Sequence, residues 1–340
     1  MRVGLVGYGK GGRYFHAPLI TSVAPMALVG VVTRSADRRA ELEEDHPGVP
    51  AYDSLAELID AGVDAVVIST PPDVREAMVL EAISKGVPVV SDKPFAMDAS
   101  RARLLIEAAR EANVPLTVYM NRRWDSDIRT ARKLIDAGAL GDVRTFESRI
   151  ETYVDEPRGN ATGGGLLRDL GSHMVDQALW LFGPVRTVYA EVGFLGEQCA
   201  LDEDFFLCLR HETGVISRLW GSTVQHSPGP RLKVNGTQGC FRIEHLDGQD
   251  QALLSGRTPR TERSRWGVED HLRWGAVHRG DERELIPSEQ GRWDLFYTHL
   301  ASSMAGKGEL PVAAEDALET TRVLDAARLS ALEQRVVEVA

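Results

Sequence analysis

Arg2-Val3-Gly4-Leu5-Val6-Gly7-Tyr8-Gly9-Lys10-Gly11-Gly12 is the stretch that decides the fold. Residues 2–6 read as a short apolar strand and run straight into G-x-G-x-x-G, which Gly7, Gly9 and Gly12 satisfy. In such a turn the first glycine makes the sharp reversal, the second lets the backbone approach a pyrophosphate, and the third lets the next helix pack on the strand. The phosphates then lie at the helix N-terminus, where free N–H groups and the helix dipole favour anions. The context fits: a helical pattern of Tyr14, Phe15, Leu19 and Ile20 follows, and then a second apolar run over 27–32. A dinucleotide site at Gly7, Gly9, Lys10, Gly11 and Gly12 is expected in preference to a purely structural glycine turn.

The end of the second strand sets the cofactor. An acidic residue there would bond a ribose 2′-hydroxyl, whereas an arginine accommodates a 2′-phosphate. This chain has Thr33-Arg34-Ser35, with Arg38 one helical turn beyond Arg34 and no carboxylate to compete. The planar guanidinium suits bidentate phosphate contact, so NADP is expected, with NAD as the alternative.

Further along, strands and helices alternate: a helix over 54–61, a strand over 64–69, a helix over 74–85, a strand over 87–90, a helix over 99–111 and a strand over 115–119. Strands joined by helical crossovers give a parallel, doubly wound sheet. A Rossmann domain over 1–120 is predicted. Beyond Asn121 the pattern changes to a helix over 126–137, a strand over 143–153, a helix after a glycine run at 163–165, and runs over 185–194, 204–210, 214–222, 231–234 and 240–244 that alternate as antiparallel strands do. Helices over 293–305 and 315–333 close the chain. The expectation is an α/β protein whose second domain, 121–340, is α+β with an open, largely antiparallel sheet. Residues 246–290 are polar and yield only loops with short strands.

Composition narrows the function. With 39 basic against 50 acidic residues the formal charge is −11, which argues against a nucleic-acid partner. Three scattered cysteines, Cys199, Cys208 and Cys240, form no C-x-x-C pair and fit a reducing compartment. The chain opens on a strand with no charged leader, and no apolar run approaches the length of a membrane span, so a soluble cytoplasmic protein is expected.

Two clusters carry chemistry. In Gly163-Gly164-Gly165-Leu166-Leu167-Arg168-Asp169-Leu170-Gly171-Ser172-His173-Met174-Val175-Asp176, Asp169, His173 and Asp176 fall on one helical stripe among apolar neighbours. The plain alternative is that Asp169 caps the helix and holds a core histidine. The second cluster is Ser91-Asp92-Lys93-Pro94-Phe95 at the end of a nucleotide-domain strand. Ligands of open parallel sheets bind outside the carboxyl ends of the strands, so Lys93 projects beside the nicotinamide. The X–Pro step also admits a cis Lys93–Pro94 bond.

Together these residues resemble the glucose-fructose oxidoreductase and inositol dehydrogenase superfamily (Gfo/Idh/MocA) over nearly the whole chain. Its Glu-Lys-Pro signature stands here as Asp92-Lys93-Pro94, and its Gly-Gly-Gly…Asp…His helix as residues 163–176. Phe15-His16-Ala17-Pro18-Leu19, Asn121-Arg122-Arg123-Trp124-Asp125, Gly229-Pro230-Arg231, Asn235-Gly236-Thr237-Gln238-Gly239 and Val312-Ala313-Ala314-Glu315-Asp316-Ala317 are similar to the branch of NADP-dependent scyllo-inositol dehydrogenases.

The resemblance implies a catalytic trio of Lys93, Asp169 and His173, a cofactor loop at Ser69, Thr70 and Pro71, a contribution from Asp92, and homodimers or homotetramers built through the second domain's sheet. Each role has a chemical reason. Histidine, with an ordinary pKa of about 6.5, can take the hydroxyl proton as hydride leaves carbon. A lysine cation at the same oxygen stabilises developing alkoxide or polarises a carbonyl. Asp169 would orient Lys93 or His173 and accept a substrate hydroxyl.

The chain also departs from the pattern, with Pro72 and then Arg75 where the family often has asparagine and histidine, and with a short segment between Glu147 and Gly163. That segment borders the substrate, which leaves the identity of the sugar open. Arg122 follows a strand end and is assigned to the cofactor or a substrate hydroxyl, with an ion pair to Asp125 or Asp127 as the alternative. His16 is a candidate phosphate or nicotinamide contact. Tyr153 and Asp155 are candidate substrate contacts, and Trp266, His271 and Trp274 could close the pocket. No metal is expected, since the acidic stripe lies on one helix. The reading is an NADP-dependent dehydrogenase of a sugar or cyclitol. Alternatives are a non-catalytic dinucleotide sensor and a reductase of another carbonyl or an imine.

Overall fold

A computed structural model describes residues 1–155, 164–195 and 201–339. Gly163 of the glycine run and Cys199 lie outside these residues.

The first strands are β1 (Arg2–Val6), β2 (Ala27–Val32), β3 (Ala51–Tyr52), β4 (Ala65–Ile68), β5 (Val89–Ser91) and β6 (Leu116–Val118). They pair in parallel in the order β3-β2-β1-β4-β5-β6, the doubly wound arrangement whose order reverses between β1 and β4. Strands β4, β5 and β6 are buried throughout, as a sheet covered on both faces requires. The two-residue β3 is too short to show as an alternating or apolar run in the sequence.

The second sheet has nine strands: β7 (Val143–Glu151), β8 (Val185–Leu195), β9 (Leu201–His211), β10 (Ile216–Ser222), β11 (Leu232–Gly236), β12 (Cys240–Ile243), β13 (Gly275–Arg279), β14 (Glu282–Ile286) and β15 (Val337–Glu338). Their order is β14-β13-β12-β11-β7-β10-β9-β8-β15. It is antiparallel at every pairing but one, since β10 runs parallel to β7 with Leu219 opposite Ser148. Helices Gly165–Phe182 and Ala314–Glu333 cover one face and share its core with Phe146, Phe205, Leu207 and Leu219. The other face presents half-buried Phe206 and Trp220, with the Arg149 guanidinium 3.7 Å above the Trp220 ring.

Residues 246–290 are more ordered than their composition suggests. They hold helix Gln249–Leu254 and the β13–β14 hairpin, and Trp266 is buried in the core of the first sheet together with Trp293, Phe296 and Tyr297. Trp266 is therefore a core residue and no lid for a sugar. Helix Asp294–Met304 also packs on the first sheet, so the nucleotide-binding core draws on residues from the last sixth of the chain. Among the described residues no helix is long and apolar enough to cross a membrane.

Candidate active site

Four loops meet at the carboxyl ends of β1, β2, β4 and β5. In the first, Gly7 has φ 97°, and a Cβ there would lie 2.6 Å from the Ser69 carbonyl oxygen. Gly12 sits so close beneath that its Cβ would fall 2.0 Å from the Gly7 carbonyl oxygen, the close helix–strand contact asked of the third glycine. At Gly9, by contrast, an added Cβ would meet only the Arg38 guanidinium, at 3.8 Å, so the backbone there is open to a ligand. The helix behind the turn begins as a π-turn over Gly11–His16, and Ala17 N–H bonds the Gly12 carbonyl. Pro18, which has no N–H to give to Tyr14, stands where an α-helix would need one.

After β2, Thr33 is buried and gives its carbonyl to Arg39 Nε at 3.0 Å. Ser35 caps helix Ala36–Asp45 by accepting from Arg38 N–H, which leaves its hydroxyl hydrogen free to donate. Arg34 and Arg38 are exposed.

The β4 and β5 loops are tied together by Arg75, a residue the motif reading did not place in the site. Its guanidinium is 4% exposed and faces carbonyls in place of a carboxylate. Nε and Nη2 donate to the Thr70 carbonyl at 3.1 and 2.6 Å, and Nη1 donates to the carbonyls of Asp92 and Pro94 at 2.6 and 2.5 Å. The two lower bonds bracket Lys93, and the Lys93–Pro94 peptide is cis. Asp92 turns inward: Oδ1 accepts from Lys93 N–H at 2.7 Å and Oδ2 from the Ser69 hydroxyl at 2.7 Å, with His16 Nε2 at 3.2 Å. Burial alone would raise this carboxyl, but His16, Arg75 and Lys93 outweigh it and hold it below the ordinary carboxylate range. His16 is fully buried, so a contact with phosphate or nicotinamide is ruled out for its ring.

Helix Gly165–Phe182 brings the second domain's groups to the same place. Its start is capped by Asp202 of β9, which accepts from Leu167 N–H at 2.5 Å. Asp169, one turn inside the helix, is no cap. Its carboxylate Oδ1 accepts directly from Lys93 Nζ, which also reaches the Asp169 carbonyl at 3.3 Å. The Lys93 cation holds the Asp169 carboxyl below its usual range. His173 is 5% exposed and not bonded to Asp169; its Nδ1 is sealed without a partner, which leaves Nε2 as the nitrogen able to meet a ligand. Burial, reinforced by the cations Lys93 and Arg122, pushes His173 well below its ordinary pKa, so its imidazole is neutral at neutral pH.

Asp176, third on the stripe, belongs elsewhere: Arg123 grips it with Nε and Nη2 at 2.8 and 2.6 Å and reaches Asp316 with Nη1 at 2.9 Å. That is a buried ion pair joining two helices. Arg122 takes the ion-pair alternative, with Nη1 3.1 Å from Asp125 and its guanidinium over the Trp293 ring. Asp127 pairs instead with Arg231 at 2.8 Å, and Arg231 bonds Gln177, one turn beyond His173, at 3.1 Å. Tyr153 is 46% exposed and stacks on His226 at 3.8 Å, and Asp155 is exposed. His271 is largely exposed, and Trp274 bonds the Glu269 carbonyl at 3.3 Å. Among the described residues no cluster of side chains has the makings of a metal site.

Comparison with known proteins agrees with this geometry. Residues 1–120 match the oxidoreductase family with an NAD-binding Rossmann fold, and residues 128–242 match the GFO/IDH/MocA C-terminal domain. The chain is 33% identical to scyllo-inositol 2-dehydrogenase (NADP(+)) IolW of Bacillus subtilis, over 99% of this chain and 95% of that one. It is 24% identical to D-apiose dehydrogenase of Rhizobium rhizogenes, over 89% and 87%. The solved structure of yvaA from Bacillus subtilis superposes with a TM-score of 0.91 at 32% identity, covering 100% of this chain and 98% of that one.

Proposed function

We propose that this chain, which belongs to the Gfo/Idh/MocA family of oxidoreductases, is an NADP-dependent dehydrogenase of a sugar or cyclitol, working between a secondary alcohol and its ketone. The observation that carries the reading is the direct bond between Lys93 of the nucleotide-binding half and Asp169 of the second half, on the helix that also bears His173. Residues attached to the two sheets bring a cation, a carboxylate and a neutral imidazole close together.

The residues present fit a dinucleotide. The open backbone at Gly9 and the tight contacts at Gly7 and Gly12 suit a pyrophosphate at the helix start, beside Lys10 and Gly11. Ser69, Thr70 and Pro71 form the neighbouring loop. Arg34 and Arg38, exposed and with no carboxylate partner among the described residues, together with the Ser35 hydroxyl and the turn at Thr33, would hold a 2′-phosphate. The relative's own dependence on NADP supports this choice. When bound, the nicotinamide accepts or returns the hydride.

The chain's own groups handle the proton and the charge. In oxidation His173 Nε2 takes the hydroxyl proton; because burial disfavours its imidazolium, the proton is readily passed on. Lys93 steadies the negative charge that grows on the substrate oxygen, and in reduction it polarises the carbonyl. Asp169 keeps Nζ in place and offers its second oxygen, on a half-exposed side chain, to a vicinal hydroxyl. Arg122, held by Asp125, is available to a further hydroxyl, and Tyr153 and Asp155 border the sugar. The substrates in the names of the relatives, scyllo-inositol and D-apiose, support a polyhydroxylated ligand. Division at residue 120, a cytoplasmic setting, and dimers or tetramers through the half-buried sheet face around Trp220 complete the reading.

The test is a screen of sugars and cyclitols with NADP+ and NAD+, followed by nicotinamide absorbance, on the parent and on His173→Ala and Lys93→Met. Both variants should lose roughly 10²-fold or more in kcat while keeping cofactor affinity. Near-parent turnover in either folded variant would remove these residues from the chemistry.

A further inference from the structure

His16 and Tyr297 lie 281 residues apart in sequence, and their side chains meet beneath the Lys93 loop. Both are fully buried, and the His16 ring is wedged against Tyr119 at 4.2 Å between centroids. Nδ1 stands 2.6 Å from the Tyr297 hydroxyl, and Nε2 stands 3.2 Å from Asp92 Oδ2, off the line of a straight hydrogen bond and with no other partner. An ionised carboxylate only accepts, so Nε2 must carry the hydrogen in either charge state of the ring. Burial holds the Tyr297 phenol protonated far above neutral pH, so its hydroxyl can donate to Nδ1.

We propose that His16, buttressed by Tyr297, is a positioning residue for the hydride-transfer site, fixing Lys93 through the Asp92 carboxylate. This rests on the reading of Lys93 as the cation at the reacting oxygen. Two hydrogen bonds and one close contact converge on the Asp92 carboxylate: the Ser69 hydroxyl and the Lys93 N–H donate to it, and His16 Nε2 stands against Oδ2. Only the last comes from outside the β4 and β5 loops. Without it Oδ2 is tied by Ser69 alone, the carboxylate can turn about its χ2, and the Lys93 amide bound to Oδ1 turns with it. Nζ, at the end of that residue, bonds Asp169 from the far side of the cleft. An uncertainty in the amide plane is therefore carried along the lysine side chain to the reacting oxygen, where misplacement of about 1 Å can cost on the order of 10²-fold in rate.

The two nitrogens can be separated by substitution. A glutamine amide places its N–H2 near the position of Nε2, and an asparagine amide near that of Nδ1. The experiment compares kcat and cofactor Kd in the full-length protein for His16→Gln, His16→Asn, Tyr297→Phe and Lys93→Met. His16→Gln and Tyr297→Phe both give up the Nδ1 bond and keep a donor toward Asp92, so each should lower kcat by about threefold at most, whereas His16→Asn should lose about tenfold or more, with cofactor Kd within roughly threefold of the parent in all three. Equal losses in His16→Gln and His16→Asn, or a loss confined to cofactor affinity, would overturn the proposal. Should His16→Asn fail to fold, Tyr297→Phe carries the test: it keeps the ring, its kcat should fall within that range, and a parent kcat overturns the buttress. Lys93→Met separates the two readings. If it retains turnover, the role of Lys93 is wrong whatever His16 does; if it abolishes turnover while His16→Asn runs at the parent rate, only the His16 proposal is lost.

Discussion

Replacing Arg75 with Met should loosen both cofactor-side loops at once. The guanidinium makes four N–H···O contacts, two to Thr70 and one each to Asp92 and Pro94. Hydrogen bonds to a charged group are worth about 1.5–3 kcal/mol each, so a simple sum would approach about 6–12 kcal/mol. Two terms cut that figure. The bonds share one rigid group and are not additive, and burying a guanidinium whose hydrogen bonds all go to carbonyls carries a desolvation penalty, the same burial that lowers the proton affinity of Arg75. A net loss of about 2–5 kcal/mol remains, which for a chain of 340 residues corresponds to an apparent Tm lower by roughly 3–7 °C. Arg75→Lys keeps the charge, but one ammonium cannot meet carbonyls on both loops, so about half the loss should persist. Thermal unfolding with and without cofactor, together with initial rates, measures both effects. An Arg75→Met protein with a Tm within about 1 °C of the parent and unchanged kcat and KM would refute the clamp.

Two further outcomes are expected. Arg34→Ala should lower kcat/KM with NADP roughly ten- to a hundredfold, from the loss of a charged hydrogen bond of about 1.5–3 kcal/mol, and should leave NAD nearly untouched; equal loss with both cofactors would place Arg34 outside the phosphate site. Because the pKa of His173 is depressed in the folded protein, oxidation should stay active as pH falls through 6.5, the ordinary histidine value, and reduction should gain from acidification. By the same linkage the unfolded chain takes up the His173 proton first, so this residue's contribution to stability falls as pH drops below about 6.5. A pH–rate profile with its oxidative acid limb at or above 6.5 would contradict the buried neutral imidazole.

Much of this was readable in the residues because it depends on local pattern. The glycine turn, the strand–helix alternation and the polar stripe are all properties of short windows, and the structure has them within a few residues of the expected bounds. What could not be read depends on contacts across long separations. Asp169, His173 and Asp176 have the same helical spacing, yet Asp176 is drawn off by Arg123 while Asp169 meets Lys93, and nothing in the spacing distinguishes them. His16 reads as a cofactor contact by its nearness to the glycine turn, whereas Tyr297 and Asp92 claim both its nitrogens. Arg75 did carry a signal, since an arginine stands where the family often has histidine, but its carbonyl partners appear only once two loops are side by side. Residues 246–290 were opaque because their core anchors, Ala252, Leu253, Trp266 and Val277, are scattered among polar and charged side chains with no sustained helical or strand period.

The packing of Trp293, Phe296, Tyr297 and Val312 into the first sheet bears on the order of events during synthesis. Thr117 of β6 donates to the Val312 carbonyl at 2.7 Å, and Tyr119 stacks edge-on against Phe296 at 4.8 Å, so the last strand of the nucleotide-binding sheet is completed by residues that are made long after it. At about 5–20 residues per second, roughly 10–40 s separate the emergence of β6 from that of its cover. Through that interval the flank of the parallel sheet that Trp293, Phe296, Tyr297 and Val312 cover lacks those residues of its own core. The histidine behind the glycine turn acquires its buried partner, Tyr297, only after a further 281 residues have been made.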